Sequence, residues 1–116
     1  MDSDGRALID LKVAAPPERA ATEVAAWIDT GFNGELVLPK NTVSGLGLVH
    51  SANVNAVLAD GSTISLETFS CVLDWLGESR KLEVSANDGD HALLGVGLLV
   101  GHDLRIGYRA GEITIN

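Results

Sequence analysis

Short apolar runs, each closed by a glycine, proline or Asp-Gly turn signal, predict a mainly β protein. Their number and spacing point to a small closed or partly closed β-barrel with one or two short helices. Two further observations agree. Asp60-Gly61 stands between two strand-like segments, and the apolar content is aliphatic, with only two Trp, two Phe and one Tyr. The core must then be built from Val, Leu, Ile and Ala. At 116 residues and 46% hydrophobic content, residues 1–116 read as a single globular domain.

In chain order, Ala7 to Val13 reads as a first strand, and Pro16-Pro17 ends it because proline lacks the N–H a sheet requires. Glu23 to Ile28 is a second strand that runs into Asp29-Thr30-Gly31, and Glu35 to Leu38 is a short third. Pro39 through Ser44 suggests one or two helical turns, with proline tolerated in the first and Gly45 and Gly47 closing the piece. Val54–Ala59 and Ser62–Phe69 flank Asp60-Gly61, a pair that favours a two-residue type I′ hairpin turn. A second hairpin at Gly77-Glu78 joins Thr68–Leu76 to Lys81–Ala86. After the polar loop Asn87-Asp88-Gly89-Asp90, Ala92–Gly95 is a short buried strand and Val96 to Val100 a short helix ending near Gly101. Leu104–Tyr108, a turn at Ala110-Gly111 and Glu112–Ile115 complete the series.

The charge narrows the function. Sixteen acidic against eight basic residues give a net charge of −8. A surface of that sign repels phosphate backbones and no Lys/Arg cluster offsets it, so no nucleic-acid partner is expected. No apolar run reaches the roughly 18–20 residues a bilayer span needs, and no membrane partner is expected. Met1-Asp2-Ser3-Asp4-Gly5-Arg6 lacks the basic-then-apolar pattern of a secretory leader. A single cysteine, Cys71, cannot close an internal disulfide. Both features fit a reducing compartment, and a cytoplasmic location is the expectation.

The chemistry centres on Asp29. It follows Ala25-Ala26-Trp27-Ile28 and so stands at the end of a buried strand, where partial desolvation favours proton sharing by a carboxylate. Thr30 offers a hydroxyl, and Gly31 permits a turn that a side chain would obstruct. Alone, the triplet reads more simply as a turn closing a strand.

Its context changes that reading. The stretches Trp27-Ile28-Asp29-Thr30-Gly31-Phe32-Asn33-Gly34-Glu35-Leu36-Val37-Leu38-Pro39, Leu58-Ala59-Asp60-Gly61-Ser62-Thr63 and Ala92-Leu93-Leu94-Gly95-Val96-Gly97-Leu98-Leu99 resemble, in order, those of the retropepsin-like aspartic peptidases. The likeness is strongest to their small stand-alone bacterial and archaeal members, and Leu104–Tyr108 and Glu112–Ile115 extend it over nearly the whole chain. The resemblance implies an acid-protease β-barrel and an aspartic endopeptidase with Asp29 as the catalytic carboxylate. Thr30 would brace the two active-site loops and Gly31 would contact substrate backbone. Phe32 and Asn33 would lie against substrate. The hairpin tip Ala59, Asp60, Gly61 and Ser62 would be a flap over the bound peptide. Leu93, Leu94 and Gly95 would support the site from behind. No metal and no cofactor are implied.

The mechanism needs two carboxylates that share a proton, one activating a water and the other polarising the scissile carbonyl. The chain has no second Asp-Thr-Gly or Asp-Ser-Gly, and Asp10, Asp60, Asp74 and Asp103 lie in other contexts. The partner carboxylate is then Asp29 of a second copy, which makes a homodimer the expected partner alongside a peptide or protein substrate. Glu112–Asn116 is the candidate interface strand; an ordinary edge strand is the plainer reading. A catalytically inactive dimer that binds peptides is the alternative to an enzyme.

Four positions depart from the family pattern. Phe32 replaces a small Ala or Ser, removing a hydroxyl that could stabilise an ionised Asp, so the activity optimum is expected above the most acid range. Asn33 and Val96 stand where viral relatives often place a paired Asp and Arg; losing both leaves no orphaned charge. Gly97 replaces an Asp or Asn. Gly95-Val96-Gly97-Leu98-Leu99-Val100-Gly101 has its third glycine one residue too late for a dinucleotide fingerprint. Asp88, Asp90, His91 and His102 have no clean metal-ligand spacing. No GxSxG elbow is present for serine chemistry. Cys71 reads as a small core hydrophobe, Trp27 and Trp75 as core or barrel-packing residues, with Trp27 near enough to Asp29 to affect its environment, and His50 as a surface residue.

Overall fold

The computed structural model describes residues 1–2, 4–16 and 21–116. Pro17, part of the expected stop after the first strand, lies outside them. Along the described chain run β1 (Leu8–Ala14), β2 (Thr22–Ile28), β3 (Leu36–Pro39), α1 (Lys40–Leu46), β4 (Val49–Val57), β5 (Thr63–Trp75), β6 (Glu78–Asn87), β7 (Ala92–Leu94), α2 (Val96–Leu99), β8 (Leu104–Gly107) and β9 (Glu112–Ile115).

Six strands close into a barrel in the order β1-β2-β7-β3-β6-β5, with β5 returning to β1 through Lys12↔Asp74, Val13↔Leu73 and Ala14↔Val72. Strand β7 lies parallel to β2 and antiparallel to β3. That places the short Ala92–Leu94 segment at the centre of the wall, between the strand that ends at Asp29 and the strand that follows the Asp29 loop. Strand β4 pairs only with β5, outside the ring, as one arm of a long hairpin.

The interior is aliphatic, as the composition requires. Val13, Ala26, Leu38, Cys71, Leu73, Val84, Leu94 and Leu98 are all essentially inaccessible, and no polar or charged residue is buried among the described residues. Burial pushes the Cys71 thiol up to about 11, against a smaller opposing effect of a backbone hydrogen bond with Ala14, so this sulfur is an inert core group. The separate β8–β9 hairpin lays Leu104, Ile106, Ile113 and Ile115 against the core and is closed by reciprocal N–H···O bonds between Asp103 and Asn116.

The two hairpin turns differ from expectation in an instructive way. At Asp60-Gly61 the loop is longer than two residues. Leu58 donates to the Ser62 carbonyl at 2.8 Å, Gly61 donates to the Leu58 carbonyl at 2.9 Å, and Gly61 is left-handed with φ 87°. Asp60 stays at negative φ, so the tip is a three-residue loop with a glycine bulge, not a type I′ turn. The Asp60 carboxylate accepts from both the Ser62 N–H (2.9 Å) and the Ser62 hydroxyl (2.6 Å), which fixes that geometry. The type I′ turn appears instead at Leu76-Gly77, with φ 52° and 87°, between the paired Trp75 and Glu78. The second hairpin therefore turns one residue earlier than Gly77-Glu78.

Leucine at positive φ is strained, and its side chain is 51% exposed, so little burial compensates. Replacing Leu76 with Asn is expected to raise unfolding free energy by about 1 kcal/mol in a urea melt, because Asn-Gly suits this turn.

Candidate active site

Strand β2 alternates. Ala26 and Ile28 point into the barrel, so Trp27 and Asp29 lie on its outer surface. Asp29 is the first residue beyond the strand, and its N–H still donates to the Leu94 carbonyl of β7 at 2.9 Å. The chain then turns sharply. The Asp29 carboxylate oxygen Oδ1 accepts the Gly31 N–H at 2.9 Å, and the Asp29 carbonyl accepts the Phe32 N–H at 3.1 Å. A Cβ at position 31 would sit 3.2 Å from that carboxylate oxygen, so glycine keeps the turn tight around it. Asp29 is half-buried, while Thr30 and Gly31 are exposed. Among the described residues the Thr30 side chain makes no hydrogen bond, leaving its hydroxyl free to pair outside the chain.

Behind this turn, two segments far apart in sequence are zipped together by main-chain hydrogen bonds. Gly95 donates to Glu35 at 2.9 Å, Val96 to Phe32 at 2.8 Å and Gly97 to Gly34 at 3.0 Å. Gly95 must be glycine for space. A Cβ there would lie 2.2 Å from the Gly34 oxygen and 2.5 Å from the Phe32 ring, although its backbone (φ −101°, ψ 177°) suits any residue. The Phe32 ring also lies where a Cβ on Gly34 would be, 2.5 Å from it. Its side chain is therefore half-buried against the loop's own glycines, a packing contact that sequence alone did not suggest. Gly97 has a similar cause, since a Cβ would lie 2.9 Å from Glu35 Cγ. Glu35 is in turn bound by Arg80 of β6 at 3.1 Å.

The structure thus brings Asp29, Thr30, Gly31 and Phe32 together with Leu94 and Gly95. Leu93 pairs with Trp27 across β2–β7 and is half-buried on the outer surface beside the site. Asn33 is exposed. Ala59, Asp60, Gly61 and Ser62 form the exposed tip of the β4–β5 hairpin, held by hydrogen bonds among Leu58, Asp60, Gly61 and Ser62. Donation from the Ser62 hydroxyl and backbone holds the Asp60 carboxyl below its usual range, against a smaller effect of burial.

Six other aspartates lie in separate places. Asp10 pairs in register with Ala25, Asp74 with Ser79, and Asp103 with Asn116, while Asp2 and Asp4 are engaged by Arg6 and Asp88 by Lys40. His102 stands edge-on to Trp75, ring centroids 6.1 Å apart. Trp27, read from the sequence as a core or barrel-packing residue near Asp29, is 39% exposed on the outer face of β2. The alternation of β2 was the signal that could have revealed it.

A closed six-stranded barrel whose outer surface carries an Asp-Thr-Gly turn, braced by a Leu-Leu-Gly strand, is the acid-protease class of architecture. Compared as a sequence, the chain matches no protein-family model and no curated protein. Compared as a structure, it is similar to EIAV protease complexed with an inhibitor (TM-score 0.62, 14% identity, 87% of this chain and 91% of that one). It is also similar to a retropepsin-like aspartic protease from Rickettsia conorii (TM-score 0.55, 22% identity, 98% and 83%). A third likeness is to the retroviral protease-like domain of Ddi1 from Leishmania major (TM-score 0.54, 15% identity, 94% and 88%). The fold is retropepsin-like. No described helix is long and apolar enough to cross a membrane.

Gly95→Ala is expected to cost about 3 kcal/mol or more, read from thermal or urea unfolding. Truncating Phe32 in the same chain does not restore it, because the nearest clash is with main-chain oxygen.

Proposed function

We propose that the protein is an aspartic endopeptidase that works as a homodimer, with Asp29 of each copy facing its mate across a two-fold axis. The observation that carries this reading is the Asp29 turn itself. One half-exposed carboxylate is held on the outside of a filled barrel, with every main-chain support of a catalytic loop and no second catalytic triplet in the chain. A single carboxylate cannot both activate a water and polarise a carbonyl, so the site needs two. The free Thr30 hydroxyls would brace the paired loops. Asn33, with Phe32 and the flap tip Ala59–Ser62, would flank an extended peptide, which adds strand-like hydrogen bonds beneath two flaps. Leu93, Leu94 and Gly95 would hold the loops from behind.

In this mechanism one Asp29 carboxylate takes a proton from the water as it attacks the scissile carbonyl. The other, protonated, donates a hydrogen bond to the carbonyl oxygen and later its proton follows to the leaving amine. Neither step calls on a metal or a cofactor. The absence of a Lys/Arg cluster and the charge of −8 argue against nucleic acid as substrate or partner.

Cleavage of a diverse peptide library by wild type, lost by about a thousandfold or more in Asp29→Asn, is the expected result. Adding excess Asp29→Asn protein to wild type should also lower activity, through exchange into mixed dimers, and specific activity should fall on dilution. Equal peptide binding by both proteins without cleavage at any pH would instead identify an inactive peptide-binding module. The pH–rate profile should be bell-shaped, with its optimum well above about pH 3, since the facing carboxylates share one proton and Phe32 supplies no hydroxyl.

A further inference from the structure

We infer that Trp27 sets the specificity of this cleft: its indole, pinned by Arg6, narrows the subsite beside Asp29 so that small residues flank the bond cut. The inference rests on the peptidase reading above and adds to it which substrates the site accepts.

Three observations lead there. The first is position. Trp27 shares the outer face of β2 with Asp29, two residues away, a step of about 7 Å along a strand. That is close to the span between alternate side chains of an extended peptide, so the ring lies within reach of a side chain adjoining the scissile bond. The second is its neighbours. In register, Trp27 lies between Leu8 of β1 and Leu93 of β7, both half-buried, which makes a continuous apolar row across three strands.

The third is what holds the ring. The Arg6 guanidinium carbon is 5.7 Å from the Trp27 ring centroid, a cation–π arrangement. Arg6 is itself anchored: its Nε donates to Asp2 Oδ2 at 2.5 Å, its backbone N–H to Asp2 Oδ1 at 2.9 Å, and its terminal nitrogen reaches Asp4 Oδ2 at 3.5 Å. Asp2 and Asp4 both engage the guanidinium, so the wall presents no free cation to substrate. A tryptophan that is flanked by two strands and covered by a tethered Arg cannot readily swing away to admit a large side chain. Under two-fold symmetry the partner's copy of this wall faces the other side of the bond, which makes the preference for small residues apply to both flanking positions. Arg6 is a positioning residue in this scheme, since it acts through the indole.

The test is cleavage profiling with a peptide library in which the two residues flanking the bond vary from Ala through Val and Leu to Phe. Wild type should prefer Ala and Val. Trp27→Ala should shift the kcat/KM ratio of Phe-flanked to Ala-flanked peptides upward by tenfold or more, and Trp27→Leu by less. Arg6→Gln should relax the preference several-fold, with Arg6→Lys restoring it, because Lys keeps the cation. An unchanged ratio in Trp27→Ala overturns the inference while leaving the peptidase intact. A second measurement is independent of catalysis: the fluorescence of Asp29→Asn protein titrated with a hexapeptide carrying Ala-Ala at its centre. A saturable change in emission that vanishes in Asp29→Asn/Trp27→Phe supports the inference. Peptide binding seen by calorimetry with no such change overturns it. If wild type cleaves nothing, the peptidase reading fails, and the titration still decides whether Trp27 lines a peptide site.

Discussion

The site depends on one constraint: the loop that carries Asp29 is held by the main chain of a segment some sixty residues later, and the two approach too closely for any side chain at Gly95. Four hydrogen bonds, from Asp29 to Leu94 and from Gly95, Val96 and Gly97 back to Glu35, Phe32 and Gly34, fix the loop against the strand–helix junction. A surface loop would ordinarily be among the most mobile parts of a domain. Here its N–H and C=O groups are paired as they would be within a sheet. Gly95 serves this arrangement through volume alone, since its backbone angles are ordinary extended ones. The distinction matters, because a conformational glycine tolerates Asn, whereas one chosen for space tolerates nothing larger than hydrogen.

Packing extends the constraint outward. Phe32 folds its ring onto Gly34 and Gly95, so the large side chain and the small ones explain each other. Glu35 occupies the space over Gly97, which accounts for a glycine there. Arg80 binds Glu35, but both side chains are more than a third exposed, and such a pair contributes at most about 1 kcal/mol. The loop is therefore held by neutral main-chain bonds and close packing. A loop braced in this way does not require a buried ion pair, and neither Asn33 nor Val96 carries a charge.

How much of this was legible in the sequence depends on how local its cause is. The order of elements was readable because turn residues punctuate it: Asp60-Gly61, Gly77 and Ala110-Gly111 all fall at or beside reversals. Turn types were less so. Asp60 is kept at negative φ by the donors of Ser62, and Leu76 is driven to positive φ by the pairing of Trp75 with Glu78, against its own preference. Closure of β1 onto β5, and the contact of Phe32 with Gly95, join residues too distant in sequence for any local pattern to reveal. The reading of Asp29 as the candidate carboxylate rests on the ordered set of motifs around it. For Trp27 only the core alternative fails, because the two-residue period of β2 turns the indole outward on the face that carries Asp29.

The filled interior also bears on where chemistry can occur. A barrel of this size, with Val13, Leu38, Leu73, Val84 and Leu94 packed inside, has no room for a ligand at its centre, so any reaction must take place on its outside. Yet an outer surface gives a carboxylate little shelter from water, and desolvation is what makes proton sharing and charge stabilisation effective. The β4–β5 hairpin stands clear of the barrel, with Val54, Val57, Leu58 and Ile64 exposed, and a lone two-stranded ribbon is marginally stable in water. An exposed apolar hairpin, an apolar row through Leu8, Trp27 and Leu93, and a Thr30 hydroxyl without a partner in the described chain each lack something that the described chain does not provide. A second copy, related by two-fold symmetry and sandwiching a peptide, would meet all of these needs at once. That economy is the physical argument for a site made between barrels instead of within one.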